Sequence, residues 1–150
     1  MTKTIWIAVA NRATARIFAA DSPLGAIEEI ETLLHPAGRV PEQALVTDKP
    51  GRTYDRAGPG RHSDPDTVQH DHEAAAFAGE IAACLAKGRE TGRYGTLVIA
   101  APPAFLGELR KHLDAQTQSL VTLELDKDLA HLGARELREH LPERLVRREE

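Results

Sequence analysis

The sequence predicts an α/β (α+β) domain: a mixed sheet built in the order βββ-loop-αβαβα, with helices on its faces in a three-layer arrangement. Three observations predict it. Two short β-rich runs, 4–10 and 15–20, are separated by a tight polar turn. A continuous apolar run, 96–101, lies between two segments whose apolar residues recur at helical spacing. A stretch of about thirty residues, 36–65, carries no apolar periodicity at all.

The elements follow in order. Thr4 to Ala10 is short, apolar and β-rich, as a buried strand should be. Asn11-Arg12 makes a turn, and Ala15 to Ala20 returns as the second arm of a hairpin. Ile27, Ile30 and Leu34 have helical spacing, but two preceding strands and the following Pro36 favour a third antiparallel strand over 27–34. Beyond the long loop, Ser63-Asp-Pro-Asp signals a helix start, with Asp64 as N-cap and Pro65 at the first helical position. Phe77, Ile81, Cys84, Leu85 and Gly88 then share a stripe, and Gly88 or Gly92 ends that helix. The run 96–101 reads as a central strand covered on both faces. Pro102-Pro103 opens a helix with Leu106, Leu109 and Leu113 on one side. A strand over 120–126 and a short helix over 133–141, stopped by Pro142, complete the chain. Residues 1–142 form one domain on this reading, and 143–150 are a frayed charged tail. An antiparallel meander followed by β-α-β crossovers is the layout of ribonuclease-H-like domains and of related domains in translation proteins.

Composition narrows the function classes. The only cysteine, Cys84, allows neither an intrachain disulfide nor a cysteine-based zinc cluster. Its place on a helical stripe reads as a small buried hydrophobe. The N-terminal apolar run is too short for a signal peptide, and no segment reaches membrane-spanning length, so a cytoplasmic protein without membrane insertion is expected. Walker and dinucleotide glycine patterns are absent, as is a Gly-x-Ser-x-Gly context, so no cofactor is expected.

The stretch 36–65 holds five prolines and four glycines, and its second half, 49–62, has four basic residues against one acid in a chain of net charge −4. Structureless loops of this length are uncommon in compact domains unless they act. Lys49, Arg52, Arg56 and Arg61 are the candidate contacts to an anionic partner, since arginine presents a planar fork of donors to phosphate. Gly51, Gly58 and Gly60 allow close backbone approach. The plainer alternative is a solvated loop in which Arg52 and Arg56 pair with Asp48 and Asp55. Arg16, a charge on a strand, needs solvent or a carboxylate; a clasp to Asp48 with Gly51 beside it would anchor the base of the loop. Arg110-Lys111-His112 is a short basic patch that would extend the positive surface if it lay beside the loop. The acids Asp21, Glu73, Asp126 and Asp128 read as turn and cap residues, because the first strand lacks the aspartate on which a two-metal nuclease site begins. His70 and His72 diverge by about 200° on a helix and do not share an ion easily, and His70 reads as a half-buried packing residue, so no metal is expected.

Several stretches taken together resemble the host attachment family, "protein required for attachment to host cells". They are Trp6-Ile-Ala-Val-Ala, Ala15-Arg16-Ile-Phe, Asp48-Lys-Pro-Gly-Arg52, Leu97-Val-Ile-Ala-Ala-Pro-Pro-Ala-Phe-Leu-Gly-Glu-Leu-Arg110 and Leu125-Asp-Lys-Asp-Leu-Ala-His-Leu132. The resemblance covers nearly the whole chain, and the block from Leu97 to Arg110 is its most specific part. The family is distantly similar to the central domain of archaeo-eukaryotic release factors, whose Gly-Gly-Gln loop serves peptidyl-tRNA hydrolysis. The nearest analogue here, Gly58-Pro59-Gly60-Arg61, has no glutamine and no glycine pair. Where the family pattern has Asp-Gly after its first strand, this chain has Asn11-Arg12.

These readings converge on a non-enzymatic binding module, with RNA or the ribosome as partner. The alternatives are a protein-interaction factor that influences attachment to host cells, with a protein partner, and a hydrolase of unrecognised chemistry.

Overall fold

In the computed structural model the described residues are 3–35 and 63–146, with side chains described from 72 onward in the second block. Five strands form one sheet: β1 (Ile5–Ala10), β2 (Thr14–Ala20), β3 (Glu28–Leu34), β4 (Thr96–Ala100) and β5 (Val121–Leu125). Their order is β3-β2-β1-β4-β5. The pairs β1–β2 and β2–β3 are antiparallel, while β1–β4 and β4–β5 are parallel. The mixed, ribonuclease-H-like layout expected from the element order is therefore the one observed.

Helices α1 (Ser63–Glu90), α2 (Pro103–His112) and α3 (Ala115–Ser119) follow or precede the parallel strands, and α4 (Ala134–His140) closes the chain. One sheet face, with Trp6, Ala8, Ile17, Leu97 and Ile99, packs on Phe77, Ile81 and Leu85 of α1 and on Phe105, Leu106 and Leu109 of α2. The other face, with Ile5, Ile7, Phe18 and Val98, packs on Leu129, Leu132, Leu137, Leu141 and Leu145. Residues of β1 alternate between the two cores and all six are buried, as the central strand of a three-layer domain requires.

Local chemistry sets the boundaries. Helix α1 starts at Ser63, a residue before the expected cap, and runs to Glu90. It ends in a Schellman motif: Gly92 takes φ +72°, its N–H donates to Arg89 O (3.1 Å), and Arg93 N donates to Gly88 O (2.9 Å). Gly88 serves a different purpose, letting the helix touch the Trp6 ring. Pro103 opens α2 at its first turn. The short α3 was not expected from the sequence. Asp114 caps it, accepting from Thr117 N at 2.7 Å, and that bond holds the Asp114 carboxyl below its usual range. Strand β3 is the exposed edge of the sheet, with a bulge opposite Ile17 and Phe18. The tail differs from the frayed segment expected beyond Pro142. Leu145 is 1% exposed and its N–H donates to Pro23 O at 2.8 Å, because Arg138 gathers the carbonyls of Gly25, Pro142 and Glu143 around the β2–β3 turn. Residues 147–150 lie outside the described residues. Among the described residues no helix is long and apolar enough to cross a membrane.

Candidate functional site

Strand β1 is where the sheet changes direction, with an antiparallel neighbour on one side and a parallel one on the other. In open α/β sheets the crevice outside the carboxyl ends of the strands at such a point is where ligands bind. A groove lies there. Its larger lobe, about 470 Å³, is lined by Arg12, His72, Ala75, Phe105, Glu108 and Lys111 among others. A second lobe of about 330 Å³ includes Asn11, Pro102 and Asp128 in its lining and shares Arg12, Ala104 and Phe105 with the first.

The β1–β2 turn builds one wall. The Asn11 side-chain oxygen accepts from Ala13 N (2.8 Å) and Thr14 N (3.0 Å), an Asx turn. Its amide nitrogen donates to Asp128 Oδ1 at 3.2 Å, and the same oxygen accepts from Ala130 N. Asparagine suits this place because one side chain must accept twice and donate once. The amide thereby ties the end of β1 to the segment that follows β5.

The described chain stops at His35 beside this edge and resumes at Ser63, nine residues before His72 of the groove. Leu34 pairs with Thr14, and His35 N donates to Ala13 O at 3.1 Å, so the chain leaves β3 beside the β1–β2 turn. Helix α1 hands over to β4 at the opposite edge, where Thr96 pairs with Ile5. With 28 residues α1 is roughly 40 Å long, so its first turns lie at and beyond the groove. The His35 ring is buried and stacks on Phe77 at 4.9 Å, and among the described residues neither ring nitrogen has a hydrogen-bond partner.

The residues singled out in the sequence separate into groups. Lys49, Arg52, Arg56, Arg61, Asp48 and Gly51 lie outside the described residues, as does the side chain of His70, while Asp64, expected as the helix cap, is the second residue of α1. Arg16 has a carboxylate partner, Glu29. Its Nε and Nη2 donate to the two oxygens at 3.1 and 2.8 Å, and its Nη1 donates to the carbonyls of Ala130 (2.9 Å) and Leu132. The guanidinium also covers the Phe18 ring. This clasp joins β2, β3 and the chain after β5. The Arg16 hydrogen bond, then that of Thr32, lowers the Glu29 pKa to about 2.

Arg110 and Lys111, adjacent in sequence, point different ways. Arg110 pairs with Glu124 on β5, while Lys111 lines the groove with Nζ 3.5 Å from Glu108. A step of about 100° per residue on a helix separates neighbours in this manner. Asp21, Asp126 and Asp128 are all exposed, and of these Asp128 lines the groove. Among the described residues no His, Cys, Asp or Glu group is arranged to hold a metal ion. Cys84 is half-buried, and burial, then the nearby Glu31, pushes its thiol pKa up. Arg12, Glu108 and the groove role of Asn11 and Asp128 were not read from the sequence. The available signal was their position just past strand ends or one turn into the helix that follows.

The fold and groove define a mixed-sheet α+β domain with a crevice at its switch point. The chain belongs to the family of proteins required for attachment to host cells, whose profile matches residues 6–141. No curated protein sequence matches it. Among solved structures it is similar to an archaeal protein, at 18% identity and a TM-score of 0.49, over 91% of this chain and 32% of that one. It is also similar to an archaeal translation termination factor, at 16% identity and a TM-score of 0.46, over 89% of this chain and 32% of that one. The chain thus spans about a third of the length of these two proteins.

Proposed function

We propose that this member of the host attachment family is a non-enzymatic, cytoplasmic binding protein that associates with RNA or the ribosome. Lys49, Arg52, Arg56 and Arg61 of the basic segment make the phosphate contacts in this reading. Asp48 and Gly51 fix its base near the strand that Arg16 clasps. Lys111 adds charge from the groove, and Arg110 adds less because Glu124 already engages it. The observation that supports the reading is the point of departure: the described chain ends at His35, beside Ala13 and the rim where Arg12 and Lys111 lie. Four contacts to single-stranded phosphates give a salt slope near −2.8, hence roughly fifty-fold weaker binding between 50 and 200 mM salt. The test is sedimentation and filter binding with ribosomes and total RNA at these two concentrations. The quadruple glutamine variant at Lys49, Arg52, Arg56 and Arg61 should lose both affinity and slope. Absence of any association at low salt overturns the proposal.

A second reading, a protein-interaction factor influencing attachment to host cells, is favoured by the exposed edge strand. Ile30 and Leu34 are exposed on it and Leu24 in the turn before it; among the described residues no strand pairs with its outer side, and an open strand edge is a template for pairing with another chain. It predicts capture of a partner that survives high salt and is lost on Ile30→Lys.

A further inference from the structure

The turn between β2 and β3 is braced on both sides, yet it presents an apolar side chain to solvent. Pro23 and Leu24 are its central residues, and Gly25 N donating to Ser22 O at 3.2 Å closes it. Arg138 holds the carbonyls that flank Leu24, donating from Nε to Gly25 O at 2.9 Å and from Nη2 to Pro23 O at 3.4 Å. Leu145 N also donates to Pro23 O. Turns of this kind favour glycine and polar residues. Leu24 is instead 61% exposed, the most exposed large hydrophobic side chain among the described residues.

A hole lies beside this knob. A groove of about 440 Å³ is lined by Ala26 and Ile27 before β3 and by Ala134, Arg135, Arg138 and Glu139 of α4. Ala26, Ile27 and Ala134 make its walls apolar. Arg138 brings no free charge to it, because the carbonyls of Pro23, Gly25, Pro142 and Glu143 take up its guanidinium. Arg135 and Glu139, one turn apart on α4, give the rim one charge of each sign, and neither makes an ion pair with another described residue. This face lies at the end of the sheet where Ala20 pairs with Ile5, away from Ala13, where the chain leaves β3. Residues 147–150, beyond the packed Leu145, are Arg-Arg-Glu-Glu and supply no apolar side chain to fill the groove.

We propose that this face pairs with the same face of a second copy of the chain, Leu24 of each protomer seated in the groove of the other. A knob and a hole on one patch are what a two-fold, self-complementary interface requires. The axis sets Arg135 of each protomer towards the opposite charge on the other rim, Glu139, and keeps like charges apart. Because Arg138 already fixes the turn, little order has to be acquired on binding. Copies do not pair through β3 in this arrangement: an antiparallel partner strand would bring a second set of Glu28, Glu29 and Glu31 against the first. The dimer therefore uses neither the basic segment nor the β3 edge.

Sedimentation velocity of the full chain over roughly 1 μM to 1 mM tests the proposal. The parent should pass from monomer to dimer in this range. Leu24→Ser should weaken the dimer by about a hundredfold or more, since the buried contact is made twice, and should leave Tm unchanged because the side chain is exposed in the monomer. Arg135→Glu and Glu139→Arg should each weaken self-association, and an equimolar mixture of the two variants should pair again. With labelled and unlabelled protomers mixed, isotope-filtered NMR should place the Leu24 methyls against the methyl of Ala134 of the partner subunit. A parent that stays monomeric at the highest concentration overturns the proposal, as does a dimer that survives Leu24→Ser. A dimer lost on Ile30→Lys but kept on Leu24→Ser belongs to the β3 edge and overturns it too. Charge-reversed variants that gain nothing from mixing refute the two-fold arrangement.

Discussion

Replacing Gly88 by alanine sets two known effects against each other. In an exposed helix interior the change would stabilise α1 by about 1 kcal/mol, the difference in helix propensity. Here the added Cβ would stand 2.5 Å from Trp6 Cη2, 2.6 Å from Cζ3 and 3.1 Å from Tyr94 Cε1. Carbon atoms in contact prefer roughly 3.5–4.0 Å, so the ring or the helix must retreat by about 1 Å. Trp6 has little room to move: it is 2% exposed, stacks on Tyr94 at 4.5 Å and lies under Arg93. Tyr94 is itself fixed, its hydroxyl donating to Leu85 O at 2.7 Å, and burial raises its pKa to about 12. Overpacking a core costs about 1–3 kcal/mol, and the disturbed aromatic pair about 0.5–1.5 kcal/mol more. Subtracting the propensity gain leaves a net loss of about 2 kcal/mol, or roughly 4–8 °C in Tm for a chain of this size. Urea unfolding followed by the fluorescence of Trp6, the only tryptophan, measures it directly. An alanine variant as stable as the parent, or more so, would refute the packing argument. RNA binding should be unaffected, because Gly88 lies at the end of the sheet opposite the groove.

The Arg16–Glu29 clasp predicts a pH dependence. The Glu29 pKa is lowered from 4.5 to about 2, so its contribution is complete above pH 4.5 and is lost as pH falls towards 2. Such a shift is worth at most about 3 kcal/mol, and because the side chain is 35% exposed, about 1 kcal/mol should survive screening. The stability difference between the parent and Glu29→Gln, measured by urea titration, should therefore be largest above pH 5 and vanish near pH 2. Asn11→Asp keeps the Asx turn but sets a second carboxylate against Asp128 where an amide donor stood. Thermal melts should show a loss of about 1 kcal/mol at pH 7 that shrinks at pH 3. His35→Phe keeps the stack on Phe77 and removes two buried ring nitrogens that have no hydrogen bond, so it should raise stability by about 1–2 kcal/mol in the same melts.

What was legible was the order and type of the elements. The hairpin of β1 and β2, the two-sided run of β4, the proline-opened α2 and the apolar stripe of α1 all lie where periodicity and turn residues put them. Helix α3 escaped because five residues are too few to show a helical period; only the Asp114 cap marked it. Leu145 escaped because its sequence surroundings are charged, while its burial depends on Arg138 and on the distant turn at Pro23. The site divided in the same way. Arginine on a strand was read as needing solvent or a carboxylate, with Asp48 as the partner; the carboxylate it takes is Glu29 of β3, which was read only as a strand.

The amino-acid sequence by itself determined the local conformations of this protein, because periods of two and 3.6 residues, caps and prolines act over a few positions. Only the tertiary structure decided that Asn11, Arg12, Phe105, Lys111 and Asp128 share one groove, and that Arg110 turns away from it. These residues are brought together by strand order and parallel register. Those are set by how the apolar faces of the whole chain bury against one another, and no short window of sequence records that.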